Sequence, residues 1–322
     1  MPTPEYLKRI RDALREDQAL PALGAAVATV SRMAEAESDT VDRLAQAILS
    51  DVSLTQRLLR CANSPLYRTR DAAPVTTVSR ALMLLGFDQT RSLALSMMLV
   101  DSLVGGKHAR VVLREFAQAL GASSVARCTL QRRWPACAEE GAIGAMFRNV
   151  GRLIATIHVP EAVAAIREEA GDGPFEHSAA KRVLGRGYDE LSLEIVGGWG
   201  LPTRIEQALE PTPPRPFPPR QSVEWVQLAS SFGDDSASLQ RRHGPAGRSK
   251  TVAALLRKYG DALGMDAETI AEVLAQAHRE TFLIGQALGI GSAIEETLGA
   301  LQGAAIGAAG AAGAAGAAGA AG

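Results

Sequence analysis

The chain has 322 residues, of which 47% are hydrophobic and only 4% aromatic, with a formal net charge of −1. That is enough apolar material for a sizeable core, in two domains or in one bundle with an accessory lobe, and alanine and leucine dominate over the residues that favour sheet. A near-neutral chain exerts no bulk attraction on nucleic acid or anionic lipid, so neither is expected as a partner. The three cysteines form no CxxC pair and read as buried free thiols of a reducing compartment. The opening "MPTPEYLKRIRDALRED" is charged where a signal peptide would be apolar. The longest apolar runs are broken by Asp101, Arg148 and Arg152 before they reach spanning length. A soluble cytoplasmic protein is the expectation.

In chain order, residues 4–16 suit a short helix, and 22–35 resume a helical period through Leu23, Val27, Val30 and Ala34. Asp39 or Thr40 can cap a helix with Leu44, Ala45, Ile48 and Leu49 on one face, and Asp51 can cap the next, "VSLTQRLLRCANS". That helix ends in "ANSPLY": Asn63 and Ser64 are placed to cap its end and turn, Pro65 stops it, and Tyr67 packs over it. "TTVSRALMLLG" follows, with Gly86 at a left-handed helix end, and then the apolar 87–104, read as central. Residues 109–132, 138–157, 160–170, 176–185, 189–198 and 202–209 read as further helices. No segment alternates with the two-residue period of a strand. The fold class is all-α.

"EPTPPRPFPPR" (210–220) has six prolines in eleven residues and reads as a stiff, extended connector. Helices are expected over 222–232, 249–260 and 266–289, with a polar loop at 233–248. The last twenty residues repeat Gly-Ala-Ala, which costs a helix roughly 1 kcal/mol per glycine and has nothing to anchor a core, so it reads as disordered. The basic runs "LQRRW" (130–134) and "LQRRHG" (239–244) lack interleaved aromatics and read as solvated helix ends.

One helix stands apart. In "GAMFRNVGRLIATIHVP" (144–160) the apolar residues recur at three- and four-residue steps, yet Arg148, Asn149 and Arg152 sit among them. No phosphate-binding loop, dinucleotide fingerprint, nucleophile elbow or Cys–His pairing occurs elsewhere in the chain.

Two separated stretches, "ILSDVSLTQRLLRCANSPLY" (48–67) and "VSRALMLLGFDQTRSLALS" (78–96), together with "LPAL" (20–23) and "WGLP" (199–202), resemble in order and spacing the HDOD family, the HD-related output domain of bacterial signalling proteins. The resemblance implies a multi-helix bundle related to the metal-dependent HD phosphohydrolases, with a smaller C-terminal helical lobe. It divides the chain into an N-terminal helix (1–19), an HDOD domain (20–210), the connector (211–220), a C-terminal helical region completing or packing on the bundle (221–302) and the Gly/Ala tail (303–322). In the HD enzymes the helix matching 144–157 carries an adjacent His-Asp pair, commonly followed by Gly-Lys. Here Arg148 and Asn149 hold the pair positions and Arg152 the lysine position, while Gln118 stands near the place of the first histidine. A guanidinium has no lone pair to give a metal, and one neutral amide oxygen is too weak a ligand alone. The five histidines are scattered, and His158, the nearest in sequence, reads as a cap or surface residue.

The expectation is therefore no metal, no cofactor and no catalysis. Arg148, Asn149 and Arg152 read first as internal ties to neighbouring acceptors in place of the lost metal. Read second, Arg148 and Arg152 form an anion site. The resemblance implies a regulatory module acting on unidentified signalling proteins, with a sensor of a nucleotide or other small anionic ligand as the alternative and a divergent phosphohydrolase as the third reading.

Overall fold

The computed structural model of the chain describes residues 4–16, 40–49, 52–67, 73–103, 109–171, 176–197, 199 and 201–298. Among them every regular element is a helix, so the fold is all-α. The helix expected over 22–35, the caps Asp39 and Asp51 and the tail from 303 lie outside the described residues. No helix among the described residues is long and apolar enough to cross a membrane.

The first half holds α1 (Pro4–Glu16), α2 (Thr40–Leu49), α3 (Val52–Ala62), α4 (Val78–Leu85) and α5 (Phe87–Leu103). The Thr77 hydroxyl caps α4 by accepting from the Arg80 amide at 3.3 Å. Gly86 ends that helix with the expected positive φ of 79°, but with an extended ψ of 164° in place of the left-handed helical value. The run Thr90–Met97 of α5 is buried on all sides, its polar Thr90, Arg91, Ser92 and Ser96 included.

The spine is α6 (Ala109–Arg133). Against it pack α7 (Ala138–Arg148) and, from the C-terminal region, α13 (Ser222–His243) and α15 (Ala267–Leu288). Between these lie α8 (Val150–His158), α9 (Pro160–Ala170), α10 (His177–Leu184), α11 (Tyr188–Gly197) and α12 (Thr203–Leu209); α14 (Arg248–Leu263) and α16 (Gly291–Leu298) complete the chain. Residues 210–220 are non-helical, as six prolines require. The main core gathers Phe116, Phe147, Leu153 and Ile154, and a second forms around Phe232, Tyr259 and Val273. Val125 and Cys128 of α6 belong to that second core, so the C-terminal helices share the spine with the rest of the bundle. Gly233 permits the close crossing of α13 over α6, because a Cβ there would collide with the Ala122 carbonyl. The three cysteines are free and buried.

Two expectations fail. The single helix over 138–157 is two helices that meet at Asn149 (φ −87°, ψ −6°). The cause lies far along the chain: the Ser192 hydroxyl donates to the Arg148 carbonyl at 2.6 Å and accepts from the Gly151 amide at 2.8 Å. Both groups would be engaged within an unbroken helix. Gly151 makes the contact possible, since a Cβ there would strike the Tyr188 carbonyl. The polar loop expected over 233–248 is also absent. α13 continues to His243, and only a short turn through Pro245–Gly247 separates it from α14.

Candidate functional site

The α7–α8 junction delivers three polar side chains into the interior, each at most 5% exposed. Arg148 points its Nη1 at the end of α12, donating to the carbonyls of Ala208 (3.1 Å) and Glu210 (2.9 Å). Its Nε stands 4.0 Å from Oδ2 of Asp234 on α13. Asn149 donates from Nδ2 to the Ala145 carbonyl one turn back, at 3.0 Å. Arg152 stacks over the Tyr188 ring, 4.3 Å from its centroid, and pairs with Glu176 at 2.5 Å. Glu115 of α6 lies 3.9 Å from its Nε.

These side chains line a cavity of about 350 Å³ between α8, α10, α11, α13 and α14, which the proline-rich connector borders through Pro211, Thr212 and Pro214. Its other charged groups are Glu176, His177, Asp189, Asp234, Asp235 and Lys258. Burial raises Glu176, but Arg152 and Arg241 outweigh it and hold the carboxyl down at about 2. The Asp189 carboxylate, 3.2 Å away, raises the affinity of His177 for a proton against the opposing effect of burial. Asp235 accepts from Lys258 (2.6 Å) and from the Tyr259 hydroxyl (2.5 Å). Burial holds Asp234 above the ordinary carboxylate range, against the pull of Arg148.

Of the residues singled out in the sequence, Arg148, Asn149 and Arg152 share this cavity. Gln118 is fully buried one residue behind the wall, its Nε2 3.5 Å from the Ser238 hydroxyl. Asn63, Ser64, Pro65 and Tyr67 belong elsewhere. Asn63 clamps the chain beyond the turn, donating from Nδ2 to the carbonyls of Leu59 (2.8 Å) and Val75 (2.7 Å) and accepting from the Val75 amide (2.9 Å). Ser64 does not cap through its side chain. Its hydroxyl is buried without a partner, and its backbone makes the turn by bonding Cys61 and Tyr67. The Tyr67 hydroxyl is likewise buried without a partner.

The histidine of the site is His177, on α10, whereas the His158 carbonyl accepts from Arg9. The second basic run is no solvated helix end: Arg241 and Arg242 are only 20% and 14% exposed and reach Glu176 at 2.7 and 3.6 Å. In the first run the expectation stands closer, with exposed Arg132 on Glu272 and Arg133 on the Gly264 carbonyl. The acidic residues of α13 were hidden because a polar run was read as a loop. Their signal was present, for Asp234, Asp235, Ser238, Arg241 and Arg242 follow the i, i+1, i+4, i+7, i+8 spacing of one helical face.

The donor set does not fit a divalent cation. Its two guanidiniums, Arg148 and Arg152, have no lone pair to give, His177 is taken by Asp189, and no group of three or more His, Cys, Asp or Glu side chains among the described residues could hold a metal.

A family model for the HDOD domain matches residues 20–211. No curated protein matches the chain. Among solved structures, an HDOD domain protein of unknown function from Geobacter sulfurreducens superposes with a TM-score of 0.57 at 18% identity, covering 91% of this chain and 98% of its own. A Shewanella amazonensis protein provisionally named a phosphohydrolase gives 0.57 at 18% identity, over 89% of this chain and 98% of its own. A Marinobacter aquaeolei protein provisionally named for signal transduction gives 0.56 at 17%, over 83% of this chain and 58% of its own. At these identities the likeness is one of fold.

Proposed function

Because the chain belongs to the HDOD domain family, we propose that it is a non-catalytic regulatory module of the cytoplasm that acts through contacts with signalling proteins. The observation that carries the reading is the use made of the two positions where an HD enzyme has its His-Asp pair. Arg148 and Asn149 occupy them, and their side chains donate to main-chain carbonyls of α12 and α7. A site built this way braces helices and offers no lone pairs for activating water. Two apolar side chains face outward where a partner could meet them: Phe217 on the connector, 84% exposed, and Met83 on α4, 81% exposed.

The test has two arms. The purified full chain, loaded in turn with manganese, iron, nickel and zinc, should retain well under one equivalent of metal and hydrolyse neither phosphomonoesters nor phosphodiesters. Stoichiometric metal together with turnover lost in His177→Ala would overturn the non-catalytic half. Photo-crosslinkers placed at Phe217 and Met83 in the native cell should trap discrete protein adducts; none from either position would overturn the adaptor half.

A second reading rests on the cavity itself. It is roomy enough for a small molecule, lies beside the connector and is lined by polar groups that the chain leaves without partners. On this reading the module senses a ligand there.

A further inference from the structure

The sensor reading can be made specific from the hydrogen-bonding groups that the cavity leaves over. Arg148 Nε, Arg152 Nη1, Tyr188 Oη and Ser231 Oγ are buried without a hydrogen-bond partner. The four residues are 5%, 5%, 8% and 2% exposed, and all four line the same cavity. Buried donors without acceptors are rare and costly in a folded protein. Four around one cavity mark a place for an acceptor such as a carboxylate.

The same cavity carries the complementary feature. Asp234 accepts no hydrogen bond among the described residues, and the cation it faces, Arg148 Nε, is 4.0 Å away. Asp235 beside it receives both of its bonds, from Lys258 and Tyr259, on Oδ2 alone. An unengaged carboxylate with a second one next to it is a place for a cationic donor such as an ammonium.

Charge decides between ligand classes. Four carboxylates line the cavity (Glu176, Asp189, Asp234, Asp235) against three permanent cations (Arg148, Arg152, Lys258). Each cation already faces a carboxylate: Arg152 faces Glu176 at 2.5 Å, Lys258 faces Asp235 at 2.6 Å and Arg148 faces Asp234 at 4.0 Å. A multiply charged anion would meet the carboxylates of Asp189, Asp234 and Asp235 beside the donors, even though Arg241 and Arg242 behind the cavity share in offsetting Glu176. A simple amine would leave the orphan donors as they are. A molecule carrying both charges meets both needs and adds no net charge to a buried site.

We propose that this cavity binds a small zwitterion of the free amino acid class, its carboxylate taken by Arg148 Nε and Arg152 Nη1 and its ammonium by Asp234. The ligand bridges Arg148 and Asp234 from the cavity side, replacing one ion pair too long for a hydrogen bond by two direct charged contacts. Ser231 and Tyr188 supply further donors to the carboxylate. The proposal rests on the sensor reading and is narrower than it.

Thermal melts of the full chain test it, with each of the twenty amino acids, with acetate, phosphate and AMP as anions without an ammonium, and with putrescine as an amine without a carboxylate. The expected result is a saturable rise in melting temperature with one or a few amino acids and none with the other probes. Asp234→Asn should abolish the shift while keeping the unliganded melting temperature. Should that variant not fold, Ser231→Ala, which removes one donor and little volume, should weaken binding by titration calorimetry. Stabilisation by the anions alone would leave a sensor but overturn the zwitterion. Stabilisation by no probe would overturn both, and an amino acid shift unchanged in both variants would place binding elsewhere and overturn the assignment.

Discussion

Two clusters of buried ionic groups hang from α6, about 18 Å apart along its axis by the rise of a helix. At Glu115 and Glu176 four arginines converge: Arg152, Arg167, Arg241 and Arg242. At Arg127 the balance is reversed. Arg127 pairs with Glu280, which also accepts from the Cys128 thiol at 3.5 Å, and Glu139 stands nearby as a further acid, with Arg91 as a second, weaker cation and Asp88 as another acid. Both settings desolvate their carboxyls, yet Glu176 is held down at about 2 while Glu139 is pushed up to about 7. Burial acts in the same direction on both, so the number of guanidiniums per carboxylate decides the sign. Where cations are scarce the surplus acid is relieved by a proton. At the other cluster the front of the network opens on the cavity, and its unpartnered groups face space that a ligand can fill.

Removing a cation from the poorer cluster should have the largest effect. Arg127→Ala leaves Glu280, 5% exposed, with no guanidinium, and breaking a buried pair this way costs about 3–5 kcal/mol. Arg152→Ala leaves Glu176 with Arg241 and Arg242 and should cost clearly less. Urea unfolding of the two variants reads the difference directly. Equal losses would mean that the extra arginines do not share the load.

Arg148→Ala comes next. It removes the donor to two carbonyls at the end of α12, each worth roughly 1–3 kcal/mol if left buried and unpaired. The loss should appear in the same urea series. A variant as stable as the parent would show that the end of α12 finds other donors and that Arg148 is free for a ligand.

The sequence made the helical class legible because its signals are local: glycine and proline punctuation, three- and four-residue apolar steps and the absence of alternation. Helices such as Pro4–Glu16 and Pro160–Ala170 fall where that reading puts them. That Arg148, Asn149 and Arg152 would lie together was legible too, since one short helical run carries all three. What escaped depends on partners distant in sequence. Nothing within 138–157 shows that Ser192 will break the helix at Asn149, and nothing near His177 shows that Asp189 will face it across a turn. Apolar periodicity also misjudges a helix whose polar face points inward. Asp234 falls in the run read as a polar loop, and Arg241 and Arg242 in one read as a solvated helix end, yet Asp234 lines the cavity and the two arginines stand behind it on Glu176.

The opposite shifts of Glu139 and Glu176 predict opposite responses to pH. In the folded state Glu139 keeps a proton that its ordinary value of 4.5 would release, so its contribution is full below about pH 4.5 and is lost as pH rises through about 7. Glu176 contributes above 4.5 and loses its contribution as pH falls toward about 2. Glu139→Gln should therefore flatten the decline in urea midpoint between about pH 4.5 and about pH 7 without altering the acid limb. An unchanged slope in that variant would mean that Glu139 is ionised in the fold and that the comparison of the two clusters fails.

The smallest effect belongs to Asn149, although it stands beside Arg148 in the same position pair. Its Nδ2 reaches only the Ala145 carbonyl, one turn back in its own helix. The junction conformation, φ −87° and ψ −6°, is open to alanine. The break between α7 and α8 is held by Ser192, which would keep both of its bonds there after the substitution. Asn149→Ala should thus cost about 1 kcal/mol or less, the net worth of one ordinary hydrogen bond. Ser192→Ala, which releases the Arg148 carbonyl and the Gly151 amide together, should cost more. If the order is reversed, the amide side chain and not the distant serine sets the junction, and the two neighbours act as a unit in the way their adjacency in sequence suggests.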